Sequence, residues 1–112
     1  MSLGFNSLFE IARSESNAWP ALVRNAKIME EVGEFSEALL HKLGYLPHKI
    51  MKEPIEGEAA DIIICVIDTL ASAYPDLTPT QLTDMITHQL GKKSQKWVTV
   101  MGQRSEKNER AN

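Results

Sequence analysis

Two groups of acidic residues have spacings that place carboxylates side by side on a helix. Each contains a pair at positions i and i+3, and such pairs project from one helix face. The groups are Glu30, Glu31, Glu34 and Glu37, and then Glu58 and Asp61 with Asp68 two turns later. Oxygen ligands without histidine or thiolate partners favour Mg²⁺ or Mn²⁺ over zinc. The pattern therefore predicts a site for a hard divalent cation.

The surroundings of the second group strengthen this prediction. An acidic string alone is most often a solvated helix face. Here residues 62–67, Ile-Ile-Ile-Cys-Val-Ile, cover most of the circumference of the helix that carries Glu58 and Asp61. A helix that is apolar nearly all round is predicted to be buried, and buried carboxylates are costly unless they are paired or bind a metal. We therefore expect a cation between the two helices.

The apolar stripe of the preceding helix indicates which of its carboxylates face inward. Helical spacing aligns five apolar side chains along that stripe: Ile28, Val32, Phe35, Leu39 and Leu43. Glu31 borders the stripe and Glu34 lies next to it, whereas Glu30 and Glu37 turn further toward solvent. We expect Glu31 and Glu34 to face the cation.

Together these residues resemble a known family. The string Lys27-x-x-Glu30-Glu31-x-x-Glu34, a connection, and then Glu58-x-x-Asp61 is similar to the signature of the MazG-like all-α nucleoside triphosphate pyrophosphohydrolases. The resemblance spans residues 19–97. It implies a helical fold that assembles into homodimers or homotetramers, binds Mg²⁺ (with Mn²⁺ as a substitute) and hydrolyses a (d)NTP to (d)NMP and pyrophosphate.

The resemblance also implies roles for single residues. Glu31, Glu34, Glu58 and Asp61 match the metal ligands of the family. Lys27 matches a lysine that contacts phosphate or holds a ligand carboxylate. The mechanism implied is metal-assisted attack of water on phosphorus, in which Glu34 or Glu30 orients the water. The sequence leaves the choice between these two open.

A basic and aromatic segment is the candidate for binding the nucleotide. Lys93, Lys96 and Trp97 are similar to the family segment that reaches phosphate and base. The asparagine and arginine often found in that segment are absent here, which leaves base preference open. Lysines near the end of a helix also complement its dipole, and a tryptophan there can serve packing alone.

Three other functions compete with this hypothesis. The chain is also compatible with a non-catalytic helical interaction module whose acids form salt bridges. A phosphoribosyl-ATP pyrophosphatase-like enzyme has similar helices and chemistry. A di-iron bundle is disfavoured, because it requires Glu-x-x-His pairs and the three histidines, His41, His48 and His88, form none.

Four helices are predicted to position these residues. They are expected at residues 7–13, from near Trp19-Pro20 to about Leu43, at residues 55–73, and from Pro79 to between Val98 and Met101. We expect a single all-α domain over residues 1–102, arranged as a four-helix bundle that oligomerisation completes. Residues 103–112 contain no apolar side chain larger than alanine and are predicted to form a disordered tail.

Composition excludes several classes of function. With 112 residues and a net charge of −3, the chain lacks the dense basic face that binds a nucleic acid polymer. The longest strongly apolar run is too short to span a membrane, and the N-terminus does not resemble a signal peptide. The single cysteine, Cys65, predicts no disulfide framework. We therefore expect a cytoplasmic protein.

Overall fold

The computed structural model describes residues 3–14 and 20–111, which form four helices and, within those ranges, no strand. The helices are α1 (Phe5–Ser14), α2 (Ala21–Lys42), α3 (Ile55–Ala73) and α4 (Pro79–Ala111). The predicted all-α class is confirmed, as are the bounds of α3 and, within two residues, of α2. Trp19, near which α2 was expected to begin, lies outside the described residues.

Local chemistry sets the helix boundaries. Pro20 and Pro54 stand immediately before α2 and α3 in extended conformations. At the end of α2, Gly44 has φ +86°, and the amides of Gly44 and Tyr45 donate to the carbonyls of His41 and Leu40. This is the Schellman arrangement, which favours glycine because its φ is positive.

A capping box begins α4. The amide of Gln81 donates to Thr78 Oγ1 at 3.1 Å, and the amide of Thr78 donates to Gln81 Oε1 at 2.8 Å. Two amides that lack intrahelical partners are thereby satisfied, as the Thr-Pro-x-Gln spacing predicts.

The apolar core lies where α1 packs against α3 and the beginning of α4. Its buried residues are Phe9, Ile67, Ala71 and Leu82. Arg13 connects α1 to the end of α3, because its guanidinium donates hydrogen bonds to the carbonyls of Ala71, Tyr74 and Pro75. Three carbonyls at the end of that helix thus gain a charged donor.

Helix α2 packs antiparallel against the opposite side of α3. Near one end of the pair, the guanidinium of Arg24 forms an ion pair with Asp68. Further along, the buried residues of α2 are Glu31 and Ala38, and Glu58 is buried on α3. The α2–α3 pair therefore carries both acidic groups on its facing surfaces.

Two predictions about apolar burial and helix length are corrected by the structure. Ile63 and Ile64 are about half exposed, so α3 is not buried all round within one chain. Helix α4 continues to Ala111 instead of ending between Val98 and Met101, and residues 103–111 are helical rather than a disordered tail. The reason is that a helix already nucleated propagates through good helix formers such as Gln, Arg, Glu and Lys without needing apolar contacts.

The extended α4 makes the molecule elongated. The radius of gyration is 18.0 Å, against about 13 Å for a compact domain of this size. Leu90, Trp97, Val98 and Met101 are exposed on its distal half. None of the described helices has the length and apolarity required to cross a membrane.

Candidate metal centre

The packing of α2 on α3 brings three predicted ligands together. One carboxylate oxygen from each of Glu31, Glu34 and Glu58 lies within 4.8 Å of the corresponding atoms of the other two. We call this set the first triad. Ligand oxygens about 2.1 Å from one Mg²⁺ ion stand about 3 Å apart when adjacent and about 4.2 Å apart when opposite, so carboxylates this close together can converge on one ion.

A second set of carboxylates adjoins the first. One oxygen from each of Glu53, Glu58 and Asp61 lies within 4.8 Å of the other two, and we call this set the second triad. The predicted ligand Asp61 thus joins the cluster through Glu58, which belongs to both triads. Glu53 was not predicted as a site residue.

The sequence does contain a signal for Glu53. It is the penultimate residue of the α2–α3 connection, directly before Pro54 and five residues before Glu58. Helical periodicity is silent about a residue in a connection, which is why its carboxylate was not assigned to the cluster.

Two carboxylate oxygens of the first triad are buried without a hydrogen-bond partner. Among the described residues these are Oε2 of Glu31 and Oε2 of Glu58, and the two residues are 6% and 9% exposed. An unpaired buried carboxylate oxygen is costly, and a metal ion is one of the few groups that offset the cost. Both oxygens belong to carboxylates of the first triad.

Lys27 supplies positive charge beside the first triad. Its Nζ lies 3.1 Å from Oε1 of Glu31 and 3.4 Å from Oε2 of Glu30. The hydrogen bond to Glu31, followed by the charge of Glu30, raises the pKa of Lys27. The lysine therefore holds one ligand carboxylate and stays protonated at neutral pH.

Repulsion and burial act on the protonation of the cluster. Burial is the main cause that raises the pKa of Glu58 above the ordinary 4.5, followed by the charges of Glu34 and Glu53. The charge of Asp61 is the main cause that raises the pKa of Glu53, assisted by partial burial and a hydrogen bond to Asp61. The cation-free cluster thus favours retaining protons.

An open pocket of about 300 Å³ exposes the acidic cluster to solvent. Glu34, Glu53, Glu58 and Asp61 line one part of it, and the connection contributes Lys49 and Lys52. Lys49 also binds Glu37, with Nζ 2.7 Å from Oε2. The pocket is therefore lined by acidic side chains from α2, α3 and the connection and by two lysines from the connection.

The inward and outward assignments on α2 are partly confirmed. Glu31 is buried, and the side chains of Glu30 and Glu37 are 59% and 49% exposed, as expected. Glu34, expected to face inward, is exposed, although its carboxylate belongs to the first triad. The difference arises because the first triad lies at the edge of an open pocket.

The predicted nucleotide-binding segment is not brought to this pocket within one chain. Lys93, Lys96 and Trp97 are exposed on the distal half of α4, and α4 packs on α1 and α3 but not on α2. The catalytic candidate Glu30 lies outside both triads. Of the predicted substrate-binding residues, only Lys27 adjoins the acidic cluster.

The remaining candidate side chains do not add to the centre. His41, His48 and His88 belong to no potential metal-binding group among the described residues. Cys65 is half-buried, and burial raises the pKa of its thiol. Neither type of residue therefore supplies a soft ligand here.

The donor set fits a hard cation. It consists of carboxylate oxygens on two helices and one connection, and two of those oxygens are buried without partners. No family model matches the chain, and no match was found among curated proteins or among solved structures. The functional argument therefore depends on the geometry and charge of this centre.

Proposed function

We propose that this protein is an Mg²⁺-dependent nucleoside triphosphate pyrophosphohydrolase that converts (d)NTP and water to (d)NMP and pyrophosphate. The observation that carries the proposal is the pair of buried, unpartnered oxygens on Glu31 and Glu58, set in a carboxylate cluster that opens to solvent. The type of reaction is proposed from the resemblance to MazG-like enzymes. The acidic cluster supports it, because its carboxylates are suited to binding Mg²⁺.

The proposed ligands are Glu31, Glu34, Glu58 and Asp61. When bound, Mg²⁺ supplies positive charge that screens the phosphate oxygens and favours attack on phosphorus. Burial of Glu31 and Glu58 holds their carboxylates in place before substrate arrives, and Lys27 fixes the orientation of Glu31. The protein therefore contributes a preorganised group of carboxylates that would hold the ion.

Two glutamates compete for the role of orienting the attacking water. Glu34 belongs to the first triad and lies on its exposed side, where water enters from the pocket. Glu30 lies outside both triads and pairs with Lys27. We assign water orientation to Glu34 and assign Glu30 to positioning Lys27.

Self-association completes this proposal. Leu90, Trp97 and Met101 follow one another at helical spacing on the exposed part of α4, and Ile63 and Ile64 are exposed on α3. We propose that a second copy of the chain covers these residues in a homodimer or homotetramer. The same contact would carry Lys93, Lys96 and Trp97 of one copy toward the pocket of another.

The exposed stripe on α4 also favours the second candidate, a non-catalytic interaction module. That function requires the surface but no cation, so it predicts that Mg²⁺ leaves the protein unaffected. Under the enzymatic proposal the protein acts in the cytoplasm, where Mg²⁺ and nucleotides are available.

The proposal is tested by measuring pyrophosphate release from canonical and modified NTPs and dNTPs, together with phosphoribosyl-ATP. Each substrate is assayed with Mg²⁺ and with EDTA, for the wild type and for Glu34→Gln. We expect Mg²⁺-dependent formation of pyrophosphate and monophosphate that Glu34→Gln loses by at least about 100-fold. Preference for phosphoribosyl-ATP would change the substrate and keep the chemistry. No turnover on any substrate would refute the enzymatic proposal.

A further inference from the structure

A polar pocket lies near the other end of the α2–α3 pair, away from the acidic cluster. It has a volume of about 270 Å³, and its lining includes Arg24 from α2, Asp68 and Ser72 from α3, and Arg13 from α1. Arg24 forms an ion pair with Asp68, and the two side chains are 10% and 30% exposed. The buried guanidinium therefore holds a carboxylate that is partly open to the pocket.

The pocket and the acidic cluster lie on the same faces of the two helices. Arg24 stands seven residues before Glu31 on α2, and Asp68 stands seven residues after Asp61 on α3. Seven residues make nearly two turns of an α-helix, so each pair shares one face and is separated by about 10.5 Å along the axis. This separation is comparable with that between the phosphates and the base of an extended nucleotide.

Cys65 lies between the acidic cluster and the pocket, one turn after Asp61 and one turn before Asp68. Burial is the main cause that raises the pKa of its thiol, and the charges of Glu31, Asp61 and Asp68 raise it further. Residues of both places thus act on the same thiol. The acidic cluster and the pocket therefore adjoin a common surface of the α2–α3 pair.

The charges around the pocket indicate what kind of group it binds. An anion would meet the carboxylate of Asp68, and a cation would meet the guanidinium groups of Arg13 and Arg24. A neutral group that offers N–H donors to Asp68 and an acceptor to Arg24 avoids both repulsions. Guanine is such a group, because its N1–H and 2-amino group are adjacent donors and its O6 atom beside them is an acceptor. None of the other three bases offers two adjacent donor groups on one edge.

We propose that this pocket binds the base of the nucleotide and prefers guanine. Asp68 accepts hydrogen bonds from N1–H and the 2-amino group, and Arg24 orients Asp68 and donates to O6. The inference rests on the proposed function and names the base that the sequence leaves open. The resemblance to MazG-like enzymes assigns no role to Arg24 or Asp68, so these residues add a specificity of this chain's own.

The experiment measures nucleotide binding without hydrolysis. Isothermal titration calorimetry with Mg²⁺ determines the dissociation constants of the α,β-imido analogues of dGTP, dATP, dCTP, dTTP, dITP and dXTP, which resist cleavage between the α- and β-phosphates. The proteins are the full-length wild type, Asp68→Asn and the control Asp84→Asn. Asp84 undergoes the same change at an exposed position of α4 that does not line the pocket. Circular dichroism and thermal melts check that each variant is folded.

We expect the wild type and Asp84→Asn to bind the dGTP analogue at least about tenfold more tightly than the dATP, dCTP and dTTP analogues. The dITP analogue, which lacks the 2-amino group, should bind about tenfold more weakly than the dGTP analogue. Asp68→Asn should lose the preference for guanine and bind the dXTP analogue more tightly than the wild type does. The reason is that its amide donates to the 2-carbonyl of xanthine, while its Oδ1 still accepts from N1–H. An ion pair with only a structural role would change the affinity for all analogues alike.

Equal affinity of the wild type for the dGTP and dITP analogues, or no binding of either, would overturn the proposal. This comparison needs no variant, so it decides the matter even if Asp68→Asn does not fold. A folded Asp68→Asn that still prefers guanine to xanthine would also overturn it. Guanine-selective binding without pyrophosphate release from dGTP would retain the base site and refute the enzymatic function. Pyrophosphate release with equal kcat/KM on all dNTPs would do the reverse.

Discussion

Glu31 on α2 and Glu58 on α3 each contribute a carboxylate to the first triad, and each keeps a buried Oε2 atom without a hydrogen-bond partner. Two buried carboxylates without partners lower the stability of the fold unless another group offsets their charge. Lys27 forms an ion pair with Oε1 of Glu31, and this pair leaves Oε2 of Glu31 without a partner. The proposed divalent cation would offset the charge that Lys27 leaves on this pair.

Mg²⁺ is expected to stabilise the wild-type protein and not Glu58→Gln. At ten times its dissociation constant, a ligand that binds only the folded state adds about 1.4 kcal/mol to the free energy of unfolding. For a domain of this size, that gain raises Tm by about 5–10 °C. Differential scanning calorimetry at one protein concentration, with Mg²⁺ and with EDTA, measures the effect.

The control for this experiment is Glu56→Gln, which removes one negative charge from the same helix turn outside the cluster. It should keep the full Mg²⁺ response. In EDTA, Glu58→Gln should melt at the same temperature as the wild type or higher, because it removes an ionised group from a buried site. An equal rise of Tm with Mg²⁺ in all three proteins would argue against binding at Glu58.

The stabilisation by Mg²⁺ should increase with pH. Because burial raises the pKa of Glu58 above 4.5, and the charge of Asp61 raises that of Glu53, the folded protein binds these protons more tightly than the unfolded chain does. Their contribution to stability is fully present below about pH 4.5 and is lost as pH rises through the raised pKa values. In EDTA, stability therefore falls over that interval.

Urea unfolding at about pH 5 and about pH 8 measures this dependence, with Mg²⁺ and with EDTA. Comparison with Glu58→Gln separates the contribution of Glu58 from all other titrations. In EDTA, the free energy of unfolding of Glu58→Gln should increase relative to that of the wild type as pH rises. A difference that is constant with pH would contradict the assignment.

Arg13 is expected to contribute strongly to the stability of the core. Its guanidinium donates to the carbonyls of Ala71, Tyr74 and Pro75. Arg13→Met keeps much of the aliphatic length and removes these bonds, so it should lower the free energy of unfolding by about 1–3 kcal/mol. Arg104→Met, at an exposed position of α4, is the control and should change it by less than about 0.5 kcal/mol. Equal urea midpoints for the two variants would contradict this role.

Alanine should have opposite effects at Gly44 and Gly91. Gly44 has φ +86°, where a Cβ atom is strained, so Gly44→Ala should destabilise the fold by about 1 kcal/mol. Gly91 lies within α4 with nothing within 4 Å of an added Cβ, so Gly91→Ala should stabilise it by about 0.5–1 kcal/mol. Thermal melts of the two variants measure the contrast. A stabilising Gly44→Ala would refute the αL cap.

The exposed face of α4 is expected to mediate self-association. Leu90 and Trp97 lie on the same face of that helix, whereas Gln95 lies on the opposite face. Trp97→Glu should shift sedimentation velocity toward monomer, and Gln95→Glu should leave it unchanged. A wild type that sediments as a monomer at all accessible concentrations would contradict the proposed oligomer.

Helix periodicity and end signals predicted most of the fold. Pro54 and Pro75 bracket α3, and Thr78 with Gln81 forms the capping box that their spacing indicates. The end of α4 was predicted wrongly, because the absence of apolar residues after Met101 indicates a lack of packing and not a lack of helix. The helix propensity of its residues extends α4 beyond the last residue that packs on the core.

The candidate site was predicted as far as helix faces allow. Periodicity placed Glu31 and Glu58 at an interface, but it does not place a carboxylate that belongs to a connection, and so Glu53 was missed. The half exposure of Ile63 and Ile64 depends on which surfaces one chain can cover. A 112-residue chain has too little structure to bury every apolar face by itself.

The most direct test of the central claim is the rate of pyrophosphate release by wild type and Glu58→Gln from one good (d)NTP, measured against Mg²⁺ concentration. The account predicts wild-type turnover that rises with Mg²⁺, saturates over the same range as the Mg²⁺ stabilisation and vanishes in EDTA, with Glu58→Gln at least about 100-fold slower at every concentration. Turnover that persists in EDTA, or that Glu58→Gln retains at the wild-type rate, would contradict a metal-dependent centre at the α2–α3 interface.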